Sequence, residues 1–125
     1  MWLDNSAECR KEGCVNVISW NLAGRLQRIP QQVERLASRE PDLVALQEVR
    51  RPGLPQLRTL LANDGLIHQA DSFELASCPT LLTRPRRNGL LIASRFPICP
   101  WEPGRFNVPC PERMLSVDIE RHVGR

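Results

Sequence analysis

Two short apolar runs, each closed by a polar side chain, organise the first part of this chain. Val15-Asn16-Val17-Ile18-Ser19-Trp20 reads as a strand that ends on Asn21, and Leu43-Val44-Ala45-Leu46-Gln47 as a second that ends on Glu48. Between them Ile29, Val33, Leu36 and Ala37 fall on one helical face, and Pro30 suits a first turn. The spacing predicts a helix over 29–38, and Pro41 turns Glu40 out of the helical region. The continuous apolar run 43–46 fits a parallel strand covered on both faces. A parallel strand–helix–strand unit crosses over right-handed, so both strand ends lie along one sheet edge, where open α/β sheets bind ligands. Asn21 and Glu48 are therefore expected to meet in space.

The later pattern is less regular. Arg50-Arg51-Pro52-Gly53 reads as a loop. A second helix is expected at about 55–63, with Leu54, Leu57, Leu60 and Leu61 on one side and Gly65 beyond its end. Leu66 to Gln69 reads as a short strand and Phe73 to Ala76 as another, followed by a Pro- and Arg-containing loop over 77–87. Gly89 to Ser94 is a buried strand, closed by a turn at Arg95-Phe96-Pro97, and residues 100–111 are Pro-rich and irregular. Over 114–120 Leu115, Val117 and Ile119 alternate with Ser116, Asp118 and Glu120. Residues 121–125 then look like the turn of a hairpin whose returning strand is not in the chain.

Length and composition narrow the class. With 125 residues, 42% hydrophobic and 25% charged, the chain has the size and make-up of one globular domain. Residues 1–13 read as a flexible leader without the apolar core of a signal peptide, and no apolar run reaches membrane-spanning length. Five cysteines, Cys9, Cys14, Cys78, Cys99 and Cys110, are an odd number in such a chain, which fits free thiols in a reducing cytoplasm. The Cys9/Cys14 spacing is loose for zinc and no second pair follows. All basic residues but Lys11 are Arg; Arg grips phosphate bidentately, although a coding bias gives the same count. Arg84, Arg86 and Arg87 read as a solvated loop cluster, His68 as structural, and Trp2, Trp20 and Trp101 as packing anchors.

Three segments carry a resemblance. Val-Ile-Ser-Trp-Asn at 17–21, Glu-Pro-Asp-Leu-Val-Ala-Leu-Gln-Glu-Val at 40–49 and Gly-Leu-Leu-Ile-Ala-Ser-Arg-Phe-Pro-Ile at 89–98 closely resemble, in order, the endonuclease/exonuclease/phosphatase superfamily, which includes DNase I, exonuclease III-type nucleases, sphingomyelinases and inositol-phosphate phosphatases. The resemblance implies an α/β fold: the first half of a DNase I-like four-layer sandwich of mixed sheets with flanking helices. Mg²⁺-dependent phosphoester hydrolysis is the implied chemistry, with Mn²⁺ as a substitute. Glu48 is then the metal-ligating carboxylate, and Asn21 the amide that orients the metal-site groups and the scissile phosphate. Arg50 stands in a Glu-x-Arg arrangement that contacts nucleic-acid phosphate. Mg²⁺ is typically held by one or two carboxylates, waters and substrate phosphate, which agrees with this set.

The departures are equally informative. Ala23 stands where abasic-site nucleases of this kind carry an acid, and the chain contains no Tyr. Neither Asp-x-Asn nor Asp-His occurs, so the later motifs that supply water activation and phosphate binding are missing. Residues 14–125 are thus expected to be a partial domain without its C-terminal half. Three functions follow: an incomplete and inactive nuclease, a phosphatase or phospholipid phosphodiesterase of the same fold, or a non-catalytic binding module. An uncovered inner sheet face is expected to promote self-association.

Overall fold

In the computed structural model, residues 13–75, 88–102 and 113–120 are described. β1 (Val17–Asn21) leads through a 3₁₀ turn at Leu26–Arg28 into α1 (Ile29–Ser38), and β2 (Leu43–Arg50) follows. A second 3₁₀ turn, Arg51–Gly53, opens α2 (Leu54–Asn63). Next come β3 (His68–Asp71), the short α3 (Ser72–Leu75), β4 (Asn88–Ser94), β5 (Ile98–Pro100) and β6 (Val117–Ile119). Among these, β1, β2, β4 and β3 form one sheet in that order, and β5 and β6 form a two-stranded sheet.

The main sheet is mixed. β1 and β2 are parallel, while β4 runs antiparallel to both β2 and β3. Residues paired across a ladder share a face, so the register sorts side chains directly. Ile18 and Trp20 lie on the same face as Val44, Leu46, Leu91 and Ala93, and the last four are fully buried. Against that face pack Ile29, Val33 and Leu36 of α1 with Leu57 and Leu61 of α2, forming the main core. Each fully buried Leu or Val contributes on the order of 1.5–3 kcal/mol. The other face carries Val17, Ser19 and Asn21 of β1, all exposed, beside half-buried Ala45 and Gln47.

α1 ends without a glycine. Arg39 and Glu40 close it with N–H bonds to Leu36 and Ala37, and Glu40 adopts φ +48° before Pro41. Asn16 completes this corner: its Nδ2 donates to the carbonyls of Arg39 and Glu40, and its backbone N–H donates to Asp42 at 2.8 Å. The start of β1 is thereby tied to the start of β2, which sets the parallel register.

Three expectations are corrected. The segment from Phe73 is not a strand: Ser72–Leu75 is a helical turn, because Asp71 Oδ1 accepts from the Glu74 N–H at 2.8 Å and caps it. The segment from Arg50 is not all loop either, since Arg50 is the last residue of β2 and residues 51–53 are a 3₁₀ turn. Residues 98–100, part of which was read as irregular, form β5 and supply the partner of β6, so the late strand pairs backward along the chain. The leader 1–12, the loop 77–87 and the turn 121–125 lie outside the described residues, as do Arg84, Arg86, Arg87, Trp2, His122 and three of the cysteines. Cys14 and Cys99 are exposed free thiols.

Candidate active site

The register brings the two strand ends together. Asn21 pairs with Gln47, so Glu48 stands one residue beyond Asn21's partner. Two backbone bonds extend this contact past the ladder: Leu22 N–H donates to the Gln47 carbonyl at 2.9 Å, and Gly24 N–H to the Glu48 carbonyl at 3.0 Å. The βαβ argument from sequence thus places the amide and the carboxylate on adjacent strands at a common edge.

How Glu48 leaves the sheet was not foreseen. β2 pairs with β4 in one register up to Leu46↔Leu91 and in another from Val49↔Gly89, a shift of one residue. That is a one-residue bulge, a device that re-aims a side chain next to a site. Without it, strict alternation would send residue 48 to the face of Val44 and Leu46. With it, Val49 takes the buried position, and Glu48, at φ +52°, is exposed. A glutamate in the left-handed region is strained, and such residues concentrate at functional sites. No side-chain hydrogen bond or ion pair of Glu48 is found among the described residues.

Asn21 is partly engaged. Its Oδ1 accepts from the Ala23 N–H at 2.8 Å, the Asx turn that a strand-ending Asn commonly makes. One lone pair and both Nδ2 protons remain for other partners. Ala23 at φ +56° and Gly24 at φ +64° complete the tight reversal. A side chain at Gly24 would come within 3.1 Å of Arg50 Cδ, so Gly24 lets the arginine stem lie across the turn. Gln47 Nε2 bonds Ser19 Oγ and the Ala45 carbonyl, both at 2.9 Å, bracing the neighbouring face.

Arg50 and Glu48 line one shallow pocket together with Leu22, Gly24, Gln32 and Leu57. Asn21 borders this pocket through Leu22 and is not itself in its lining. Arg50 is half-buried and pairs across the sheet with Asn88. Next to it, Arg51 sits 5.9 Å from the centroid of the Phe73 ring, and Phe73 occupies the space a side chain at Gly89 would need. His68 is on β3, at the opposite side of the sheet from β1, and takes no part. Among the described residues no three His, Cys, Asp or Glu side chains gather into a metal-binding group, and Glu48 is the one carboxylate among the pocket's lining residues.

Reasoning from sequence missed Gln32, Gln47 and the bulge. A Gly three residues after the strand-ending Asn was the one available signal, because it hints at close backbone approach.

Among the described residues no helix is long and apolar enough to cross a membrane. Comparison with curated proteins finds no match. The profile of the Endonuclease/Exonuclease/phosphatase family matches residues 18–121, spanning both strand ends and the mixed sheet with its flanking helices, a DNase I-like arrangement; the chain belongs to that family.

Proposed function

We propose that this chain carries the metal-binding edge of a Mg²⁺-dependent phosphoester hydrolase whose substrate is nucleic acid. One observation carries the reading: a bulge turns Glu48 out of a buried strand, one residue past the strand partner of Asn21, near the edge where two parallel strands end. The donors fit the cation, since Mg²⁺ is content with one carboxylate when waters and substrate phosphate supply the other oxygens. Glu48 would hold Mg²⁺ or Mn²⁺, with the remaining Asn21 Oδ1 lone pair as the second protein oxygen. The bound ion supplies stabilisation of the charge that develops on the phosphoryl oxygens.

The chain's own residues do the rest. Asn21 orients the phosphate by donating from Nδ2, its geometry held by the turn to Ala23. Arg50 contacts the nucleic-acid backbone, a positioning contact without sequence information. No Asp-x-Asn or Asp-His exists here to activate water, and losing a general base costs on the order of a hundredfold or more. Residues 14–125 therefore act as a partial domain: binding is retained and turnover by this chain is weak. A phosphatase or phospholipid phosphodiesterase substrate would use the same edge, and a non-catalytic binding module would keep that edge for interactions alone.

Mn²⁺ binding followed by electron paramagnetic resonance tests the site directly. The wild-type chain is expected to bind and Glu48→Gln to lose binding; equal binding by both ends the metal-site reading. Robust Mg²⁺-dependent cleavage of DNA by the wild-type chain, abolished in Glu48→Gln, would instead overturn the weak-turnover part.

A further inference from the structure

We propose that Gln32 is a positioning residue for this edge, holding the turn after Asn21 in the conformation that presents Glu48; the proposal rests on the metal-site reading above. Gln32 lies on α1, ten residues beyond the turn it touches. Its Nε2 donates to the Leu22 carbonyl at 3.1 Å. Leu22 in turn donates to Gln47, and Gly24 to Glu48. Separate hydrogen bonds therefore tie the helix to the turn and the turn to the bulged strand.

That series restrains a strained piece of backbone. Ala23 and Glu48 both occupy left-handed conformations without being glycine, and such residues persist only where their surroundings over-determine them. The Gln32 bond comes from an element anchored in the main core by Ile29, Val33 and Leu36. It is the side-chain clamp on the turn from outside the sheet.

The same amide has a second, unspent group. Gln32 Oε1 is buried and accepts no hydrogen bond from the described residues. The sense of the amide is determined, because the Leu22 carbonyl can only accept, which requires Nε2 on that side. Gln32 lines the pocket that Glu48 and Arg50 share. Gln32 bonds neither Glu48 nor Asn21 itself and acts through the turn between them; loss of groups that hold a metal ligand in place weakens metal binding.

The test uses the full chain with Gln32→Met, which keeps length and removes both polar groups, and Gln32→Glu, which keeps an acceptor and removes the donor. Both variants are expected to speed amide exchange at Ala23 and Gly24 in NMR spectra, leaving Val44 and Leu91 protected. Both are expected to weaken Mn²⁺ binding by about tenfold, the usual cost of losing such a partner. A merely structural role lowers the melting midpoint without changing Mn²⁺ affinity, and that pattern overturns the proposal. Wild-type Mn²⁺ affinity in Gln32→Met, with Glu48→Gln inactive in binding, overturns this inference alone. Equal affinity in wild type and Glu48→Gln overturns the site itself and the inference with it.

Discussion

At the end of β3, Asp71 is only 2% exposed and fully occupied: one oxygen caps α3 and the other pairs with Arg58 Nη1. Near the end of β2, Glu48 is exposed, conformationally strained and unengaged among the described residues. Both are acids at or near the C-terminal end of a strand of the same sheet. Asp71 spends its charge on folding, joining α2, β3 and α3, with Glu74 drawn in at 3.7 Å from the same guanidinium. Glu48 spends folding energy to remain available. Position at a strand end therefore says little about an acid's role; satisfied bonds and backbone strain separate the two.

The sharpest way to break this contrast is Asp71→Ala. Removing one member of a buried pair typically costs about 3–5 kcal/mol, and the lower end applies because Arg58 is one-third exposed. Urea unfolding should show a loss near 3 kcal/mol, and a loss below about 0.5 kcal/mol would make Asp71 as dispensable to folding as a surface acid. Glu48→Gly should move stability the other way. Relief of a left-handed residue is worth on the order of 1 kcal/mol, so the same titration should show a gain while Mn²⁺ binding disappears. Destabilisation by this variant would mean that the Glu48 side chain is structural after all.

Arg50→Gln sharpens the comparison from the ligand side. If Arg50 touches one phosphate, the slope of log affinity for DNA against log salt should become shallower by about 1. An unchanged slope assigns the arginine to packing over Gly24. The smallest effect is expected at Val17, 55% exposed on the sheet face away from the helices. Val17→Lys should reduce concentration-dependent sedimentation if that face drives self-association, and identical sedimentation of the two proteins removes β1 from any such contact.

Much of the fold was legible because local pattern and tertiary demand agreed. Ile29, Val33 and Leu36 share a helical face and are all buried against the sheet. The run 43–46 is apolar because β2 is central, between β1 and β4. What escaped the pattern was set by contacts distant in sequence. Phe73 to Ala76 has the aromatic content of a strand, yet Asp71 caps a helical turn there. Ile98-Cys99-Pro100 is too short to alternate and becomes a strand only by pairing with 117–119. Asn21 and Glu48 were legible as strand-ending polar groups. Their presentation was not, because a bulge depends on how β2 meets β4, which no window of β2 alone contains.

The bulge also makes β2 intolerant of changes in length in a way its composition conceals. Excision of a single codon at position 47 or 48 would let β2 and β4 zip into an uninterrupted ladder, a regular sheet by hydrogen-bond count. Every side chain from there onward would keep its neighbours, but the acid would be gone or would take the place of Gln47 beside Ala45, without the bulge that re-aims it. This stretch can therefore absorb substitutions more readily than indels, and a well-folded variant one residue shorter would lack the bulge that presents Glu48.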